Sequence, residues 1–419
     1  MLKTIATSCL LFTAATAYAQ TAMVTVENPM RGSRTAGELA EVSLSVLPFT
    51  PDYATTEQGD TLPCQITYDG LVVFPCPALK GREKLRVTLH AGCGTPHPTQ
   101  PRVYGRLYPE RQMDFSFEND RIAYRVYGPE TRRKGERLYG YDIFLKRTPE
   151  MILNTLYSRQ CDSRMWATVS RLRSMGKREL ADDVYQYGFC YHVDHGEGMD
   201  IYKVGPTLGA GAAALMHNGE MLFPWGFRSA ELLDSGSLRL TVKLTGYPMA
   251  LGNDSVTETR LLTIDAGSNM VKATVTYSGL THIDNKSTNF CTGIAVHREN
   301  PEEYMTDRER GIVAYADLGD PDIYRKKDRA ELDPQKGITF IGCIAPEAGD
   351  CRFVPLNKET GGATGHVMTM QRANETQTYY FGHAWSRNAT AAITNMQQWT
   401  DYLHQYLEQL RHPLRIRVK

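Results

Sequence analysis

Alternation is the feature that most constrains this chain. From about Ala22 to Val103 it runs as short segments, MVTVEN, EVSLSVL, QITYDGLVVF and KLRVTLHA, with apolar and polar residues in turn. A period of two buries one face of a strand and wets the other, so these segments are expected as strands of a sheet with one covered face. Turn-rich pieces (ENPMRG, PDYATTEQGD, ALKGREK) separate them, and YDG marks a tight hairpin. A second set follows the Gly- and Pro-rich AGCGTPHPTQPR: VYGRLYP, MDFSFEND, RIAYRVYGP and YGYDIFLKR. A third set, SLRLTVKLTGYPM, VTETRLLTID, MVKATVTYSG, CTGIAVHR, GIVAYADLG and GITFIGCIA, comes after Gly205. Helical signals are few. TPEMILNTLYSR has Thr148 as N-cap and Pro149 at the first helical position, MGKRELADDVYQYG follows, and NMQQWTDYLHQYLEQLRHP places Trp399, Leu403, Tyr406 and Leu410 on one face. LRIRV is a last strand. The expectation is an all-β, mainly antiparallel chain: a small β-sandwich over 20–103 and a large sandwich with a few helices, the C-terminal one included, over 104–419.

The first residues, MLKTIATSCLLFTAATAYAQ, combine Lys3, an apolar Ile5–Ala15 stretch and a small-x-small site at Ala17-Tyr18-Ala19. They read as a signal peptide over 1–19, which implies export to the periplasm. No later apolar run is long enough to cross a membrane. Lys+Arg and Asp+Glu are both 47, and that balance argues against a nucleic-acid partner. Nothing in the sequence speaks to oligomeric state. Export permits disulfides, and Cys343 and Cys351, flanking IAPEAGD, are expected to pair across a hairpin; Cys64 and Cys76 bracket a strand-like run in the same way. GxGxxG, GxxxxGK[ST] and GxSxG are all absent, so nothing supports a dinucleotide, P-loop or serine-hydrolase reading.

The chemistry concentrates in YHVDHGEGMDIYKVG, Tyr191 to Gly205. In a strand His192 and Asp194 would share one face and His195 and Glu197 the other; a turn at Gly196 or Gly198 would let them converge. Three readings compete. A histidine and a carboxylate form an acid–base pair; His192, His195, Glu197 and Asp194 or Asp200 hold a divalent metal; or the groups form a solvated or structural polar network. Elsewhere, HNGEMLFPWGFRSAE sets Trp225 near Arg228, a pairing suited to stacking on a sugar ring and gripping a carboxylate. YYFGHAWSR repeats the theme with His383, Trp385 and Arg387. In FENDRIAYRVYG, Asn119 and Arg121 either reach a ligand or simply make a turn. For each lone tryptophan, burial in the core is the bland alternative.

FENDRIAYRVYGP, then YHVDHGEGMDIYKVGPTLGAGA, then FPWGF, resemble a secreted bacterial family of unknown function, and the resemblance runs from ENPMRGSR to the C-terminal helix. Such proteins occur in polysaccharide-utilisation gene sets beside polysaccharide lyases and unsaturated-uronyl hydrolases. The FENDR segment is also similar to the opening of the β-supersandwich in galactose-mutarotase-like domains, which implies that fold for the larger unit. The resemblance implies an oligosaccharide or monosaccharide ligand, uronate-containing, and acid–base chemistry without a redox or phosphate cofactor. In a lyase, His195 or His192 would be the base, Arg228 or Lys203 would neutralise the uronate, and Tyr202 or Glu197 would be the acid. In a mutarotase or epimerase, Glu197 and a histidine would suffice. Asp200 is a matching carboxylate, and Asn119, Arg121, Trp225 and Trp385 would line the sugar. The contrasting class is a non-catalytic glycan-binding protein.

Overall fold

The computed structural model describes residues 20–34, 37–92, 100–280, 288–320, 322–323, 329–389 and 393–419; the leader, Cys9 and Cys93 lie outside them. Among the described residues the chain is all-β and mainly antiparallel, with few helices.

The large unit is layered. A nine-stranded antiparallel sheet runs from Phe227–Ser235 through Asp254–Asp265, Met270–Ser278, Thr376–Trp385 and Thr339–Ile344 to Tyr304–Asp307. Two five-stranded sheets cover its inner face. One holds Val103–Tyr108, Asp114–Asn119, Ala123–Val126, Asp142–Lys146 and Gly198–Met199; the other centres on Ala210–His217, Thr288–His297 and Ala363–Arg372. Phe117, Tyr124, Leu215, Ile294, Leu262 and Phe381 come from all three sheets into one continuous core. On the outer face of the nine-stranded sheet lies the helix Met396–Arg411. Its buried Trp399, Leu403 and Leu407 pack on Ile312, Ala314, Phe340 and Ile344. Asn395 caps it, accepting from Gln398 N at 3.0 Å. No described helix is long and apolar enough to cross a membrane.

The small N-terminal sandwich pairs a three-stranded sheet (Glu38–Ser43, Gln65–Ile66, Leu71–Cys76) with a five-stranded one. One strand of the latter is the far end of the chain: Arg415–Val418 lies antiparallel to Thr21–Glu27. Gln65 ties the sandwich to the large unit, donating to Arg239 O at 2.8 Å and accepting from Leu238 N and Arg239 N.

Two expectations change. The helix expected from Thr148 runs from Leu153 to Gln160. Thr148 instead closes a short turn onto Glu150 N, while the buried Glu118 of a neighbouring strand accepts from Ile152 N at 2.9 Å and Leu153 N at 2.8 Å, supplying the negative charge at the helix start. The expected disulfides are absent, since all seven described cysteines are free. Cys343 belongs to the nine-stranded sheet, beside the Thr292 hydroxyl, and Cys351 to a different sheet, where its Sγ meets Asp307 O.

Candidate functional site

The outer face of the first five-stranded sheet carries the chemistry. Register sets Ser116, Arg125 and Asp142 side by side across three strands. The helical segment after Lys146 folds over this face, with Leu153, Leu156, Tyr157 and Tyr191 packing on Phe144 and Tyr108. The charges are thereby sealed in: Arg125 is 4% exposed, Asp142 1% and Asp200 2%. A guanidinium removed from water needs its donors met by charge and hydrogen bonds, and here they are. Arg125 Nε donates to Asp142 Oδ2 at 3.0 Å and Nη2 bonds the same oxygen. Nη2 also donates to Asp200 Oδ2 at 3.0 Å, and Nη1 to the Tyr191 hydroxyl at 3.1 Å. Tyr127 OH donates to Asp142 Oδ2 at 2.6 Å, and Ile143 N to Oδ1 at 2.9 Å.

Two carboxylates on one guanidinium cannot both shed their protons cheaply. Burial first, then the negative Asp142, push Asp200 up from 3.8 to about 8, against the pull of Arg125 and Arg111. Asp200 therefore keeps its proton at neutral pH. Nearby, burial lifts Asp114 to about 6 although it accepts from Gly128 N at 2.8 Å.

His192 stands at the edge of this cluster, its side chain 29% exposed. Its Nδ1 is 2.5 Å from the Asp200 carbonyl oxygen and 3.9 Å from Asp200 Oδ2. A carbonyl only accepts, so Nδ1 carries the hydrogen. Desolvation lowers the ring to about 4, leaving it neutral at pH 7, and Nε2 therefore holds a lone pair.

The other expected residues scatter. His195 Nε2 lies 3.0 Å from Cys190 O. Glu197 pairs with Arg159 at 2.6 Å. Asp194 pairs with Arg147 and accepts from Gly196 N and Gly198 N, and this clasp makes the turn that the glycines permit. Gly198 has φ +134, and a Cβ there would lie 1.9 Å from Leu145 O, so only glycine fits. Tyr202 is in the core, its hydroxyl 3.4 Å from Ala295 O. Lys203 Nζ lies 3.5 Å from Asp320 Oδ2, and its carbonyl faces His297 Nε2 at 2.9 Å. The structure thus brings His192 and Asp200 together and leaves His195, Glu197 and Tyr202 with other partners. The two histidines of the metal reading do not converge, and no His/Cys/Asp/Glu group among the described residues is placed to hold a metal.

Of the expected sugar contacts, Asn119 is buried and works as a turn clasp. Its Nδ2 donates to Asp265 O and Ser268 O, and its Oδ1 accepts from Arg121 N and Ile122 N. Arg121 donates to Asn269 Oδ1 at 3.1 Å. Trp385 is a core residue at 1% exposure, its Nε1 donating to Lys336 O, so its ring meets no solvent. His383 is likewise buried beneath Ala123 O. Trp225 is half-buried: Nε1 donates to Glu136 O at 2.8 Å, and the Arg132 guanidinium lies 5.2 Å from the ring centre, between Trp225 and Tyr247. Arg228 is exposed on the edge strand Phe227–Ser235. Sequence reasoning missed Arg125, Asp142, Tyr127 and Tyr191. The available signal was charge within short apolar strands, Arg125 in AYRV and Asp142 and Lys146 at the two ends of DIFLK.

These features define a layered all-β protein with a buried acid–base cluster under a helical cover. The chain belongs to the DUF4861 family, a domain of unknown function whose model matches residues 26–416. It is 21% identical over 323 residues to "Uncharacterized protein P7" of Formosa agariphila, covering 75% of this chain and 70% of that one. Among solved structures it is similar to a glycosyl hydrolase family 38 protein from Enterococcus faecalis, with a TM-score of 0.44, 9% identity and 95% of this chain covered. An alpha-mannosidase from Enterococcus faecalis V583 gives a TM-score of 0.43 at 9% identity, again over 95% of this chain. The chain spans about half the length of these two, 47% and 46%.

Proposed function

We propose that this protein is an exported acid–base enzyme of saccharide breakdown, acting on uronate-containing oligosaccharides or the sugars released from them, with His192 as the group that meets the substrate. One observation carries the reading: a neutral, part-exposed imidazole is fixed by its Nδ1 hydrogen, with Nε2 unprotonated, beside the buried Asp200, whose carboxyl keeps its proton. Nε2 takes a proton from the sugar, and the Asp200 carbonyl and the Asp142 charge offset part of the cost that burial and Arg125 place on the imidazolium so formed. In an elimination the proton comes from the carbon beside the uronate carboxylate and one is returned to the leaving oxygen. In a mutarotation it comes from the anomeric hydroxyl and one goes to the ring oxygen. Arg125 and Asp142 do not touch the sugar; they position Asp200 and hold the charge balance. Lys203, part-exposed on the same segment, is the cation available to a uronate. The uronate class and the gene-set context rest on the family resemblance, and export rests on the leader over 1–19.

An NMR time course with saturated and unsaturated uronate oligosaccharides tests this. The expected result is appearance or consumption of unsaturated-uronate signals, or faster anomer exchange, cut about 100-fold or more in His192→Gln. Unchanged turnover in that variant removes His192 from the mechanism. The second reading, a glycan-binding protein, draws on the half-buried Trp225 beside Tyr139, Arg132 and Tyr247. Line broadening of one sugar with no turnover would favour it.

A further inference from the structure

Residues 109–113 join the strands Val103–Tyr108 and Asp114–Asn119 beside the His192 cluster. The turn has an unusual shape. Gln112 and Met113 both have left-handed φ, +55 and +60, a conformation that side chains rarely adopt. Arg111 N donates to Tyr108 O at 2.9 Å, and Asp114 N to Arg111 O at 3.0 Å. The Thr131 hydroxyl donates to Gln112 Oε1 at 3.0 Å, and Met113 O comes so close to Gly128 that a Cβ there would stand 2.1 Å away. Two left-handed residues in succession cost free energy and persist where the surroundings fix them. What this turn fixes is Arg111.

Arg111 Nε donates to the Tyr191 hydroxyl at 3.4 Å, the same oxygen that receives Arg125 Nη1 at 3.1 Å. Two guanidiniums thus meet on one phenol. Arg125 has the negative Asp142 to answer its charge. Arg111 has no ion pair among the described residues, and its two terminal nitrogens make no hydrogen bond there. Asp114, close by in the chain, turns instead to Gly128 N. Arg111 is half-buried, yet neither terminal nitrogen is sealed from solvent. It is also near the chemistry. The Tyr191 and His192 rings pack edge to face at 4.6 Å, and the charge of Arg111 reaches His192 and Asp200, lowering the pKa of both. Lys203, by contrast, has Asp320 at 3.5 Å. A half-buried cation with no counter-ion is costly, and an anion carried in by a ligand removes that cost.

We infer that Arg111 grips a carboxylate of the substrate at the His192 site and so sets its preference for acidic saccharides. The two free terminal nitrogens form a planar fork that matches a carboxylate with two parallel hydrogen bonds. Tyr191 holds the inner nitrogen, which leaves the fork facing outward. A neutral sugar would leave the fork unmatched. That the ligand is a saccharide rests on the reading above; its acidity rests on Arg111.

Calorimetric titration of the full-length protein tests the inference, using the uronate oligosaccharides named above and the same chains with their carboxyls reduced to alcohols. Wild type should bind a uronate chain more tightly than its reduced counterpart. Arg111→Gln should weaken uronate binding about 10- to 100-fold, leave the reduced chain unaffected and erase the preference. Arg111→Lys, which keeps the charge and loses the fork, should fall between. The melting temperature of free Arg111→Gln should equal or exceed that of wild type, since an unanswered charge beside Arg125 is gone. The inference is overturned if Arg111→Gln binds the uronate chain as wild type does, if it loses both chains equally with a lower melting temperature, or if wild type shows no preference. Turnover that depends on His192, with KM unchanged in Arg111→Gln, would remove Arg111 and leave the enzyme reading standing. Uronate binding that depends on Arg111, in a protein that turns nothing over, would keep the grip and remove the enzyme.

Discussion

Replacing Asp200 by asparagine should change how stability depends on pH more than it changes stability itself. Asp200 titrates at about 8 in the fold and near its ordinary 3.8 when unfolded. Between those values the folded chain holds a proton that the unfolded chain has released. A raised folded pKa contributes stability that is fully present below the unfolded value and is lost as pH rises through the folded one. This loss runs at ~1.4 kcal/mol per pH unit, so the ceiling by pH ~8 is ~6 kcal/mol. Arg125 is shared with Asp142 and still offers Nη2 to Asp200, so a loss of ~3 kcal/mol is the working figure. Asparagine has the same shape and no titration. Urea unfolding of both proteins at pH ~5 and pH ~8 reads the difference. The stability of the variant relative to wild type should rise by a few kcal/mol between the two. Parallel pH curves would refute the raised pKa of Asp200, and circular dichroism would confirm that the variant had folded.

Lys146→Met should destabilise by ~3–5 kcal/mol, since Lys146 Nζ leaves Glu118 Oε2 and Asn119 O, at 2.6 and 2.7 Å, in a site without solvent; Lys146→Met with Glu118→Leu should recover part of this, and equal losses in single and double variants would argue against it. His297 has an acceptor at each nitrogen, Asp317 Oδ2 at 2.6 Å and Lys203 O at 2.9 Å, so both must carry hydrogen; against burial, Asp317 holds its pKa above 6.5. That stabilisation is present below 6.5 and fades as pH rises through the raised value, loosening the Lys203 segment; an NMR titration placing His297 at or below 6.5 would contradict it. Gly198→Ala should cost ~2 kcal/mol or more by thermal unfolding, because φ +134 and the Leu145 carbonyl leave no room for a Cβ; a wild-type melting temperature would count against the turn geometry. If turnover is found, it should fall as pH drops through about 4, where His192 takes up its proton.

The strands were legible because alternation is local: SLRLTVKLTG and MVKATVTYS carry their burial pattern in their own spelling, and both are strands. The helix Ser163–Ser174 went unread although Met165, Trp166, Val169 and Leu172 recur at helical spacing, because these few apolar residues are diluted by the exposed arginines and serines around them and only Val169 is fully buried. Within the candidate site, His192 and Asp200 stand in one crowded stretch, so their types drew attention without any knowledge of folding. Arg125 and Asp142 did not, because a charge in a strand reads as its wet face until a helical cover from later in the chain is laid over it. Trp385 and Asn119 mislead for the same reason reversed. Beside arginine and aspartate they look like ligand contacts, yet the first is roofed by Arg147 and the second is clasped by Asp265 and Ser268, more than a hundred residues away.

The pairing of Arg415–Val418 with Thr21–Glu27 sets an order on assembly. Met23 and Lys419 exchange hydrogen bonds, Lys419 N to Met23 O at 2.9 Å and Met23 N to Lys419 O at 3.3 Å. Thr21–Glu27, paired with Lys84–His90 on one side, therefore waits with its other edge bare for a strand that lies beyond the whole of the large unit. A bare edge is a template for other chains, so this strand is exposed to mispairing until Arg415–Val418 is in place. Removing only 415–419 would make that interval permanent, and the truncated chain should aggregate through a strand at its other end. The five-stranded sheet of the N-terminal sandwich is thus completed by a strand that follows the whole of the large unit.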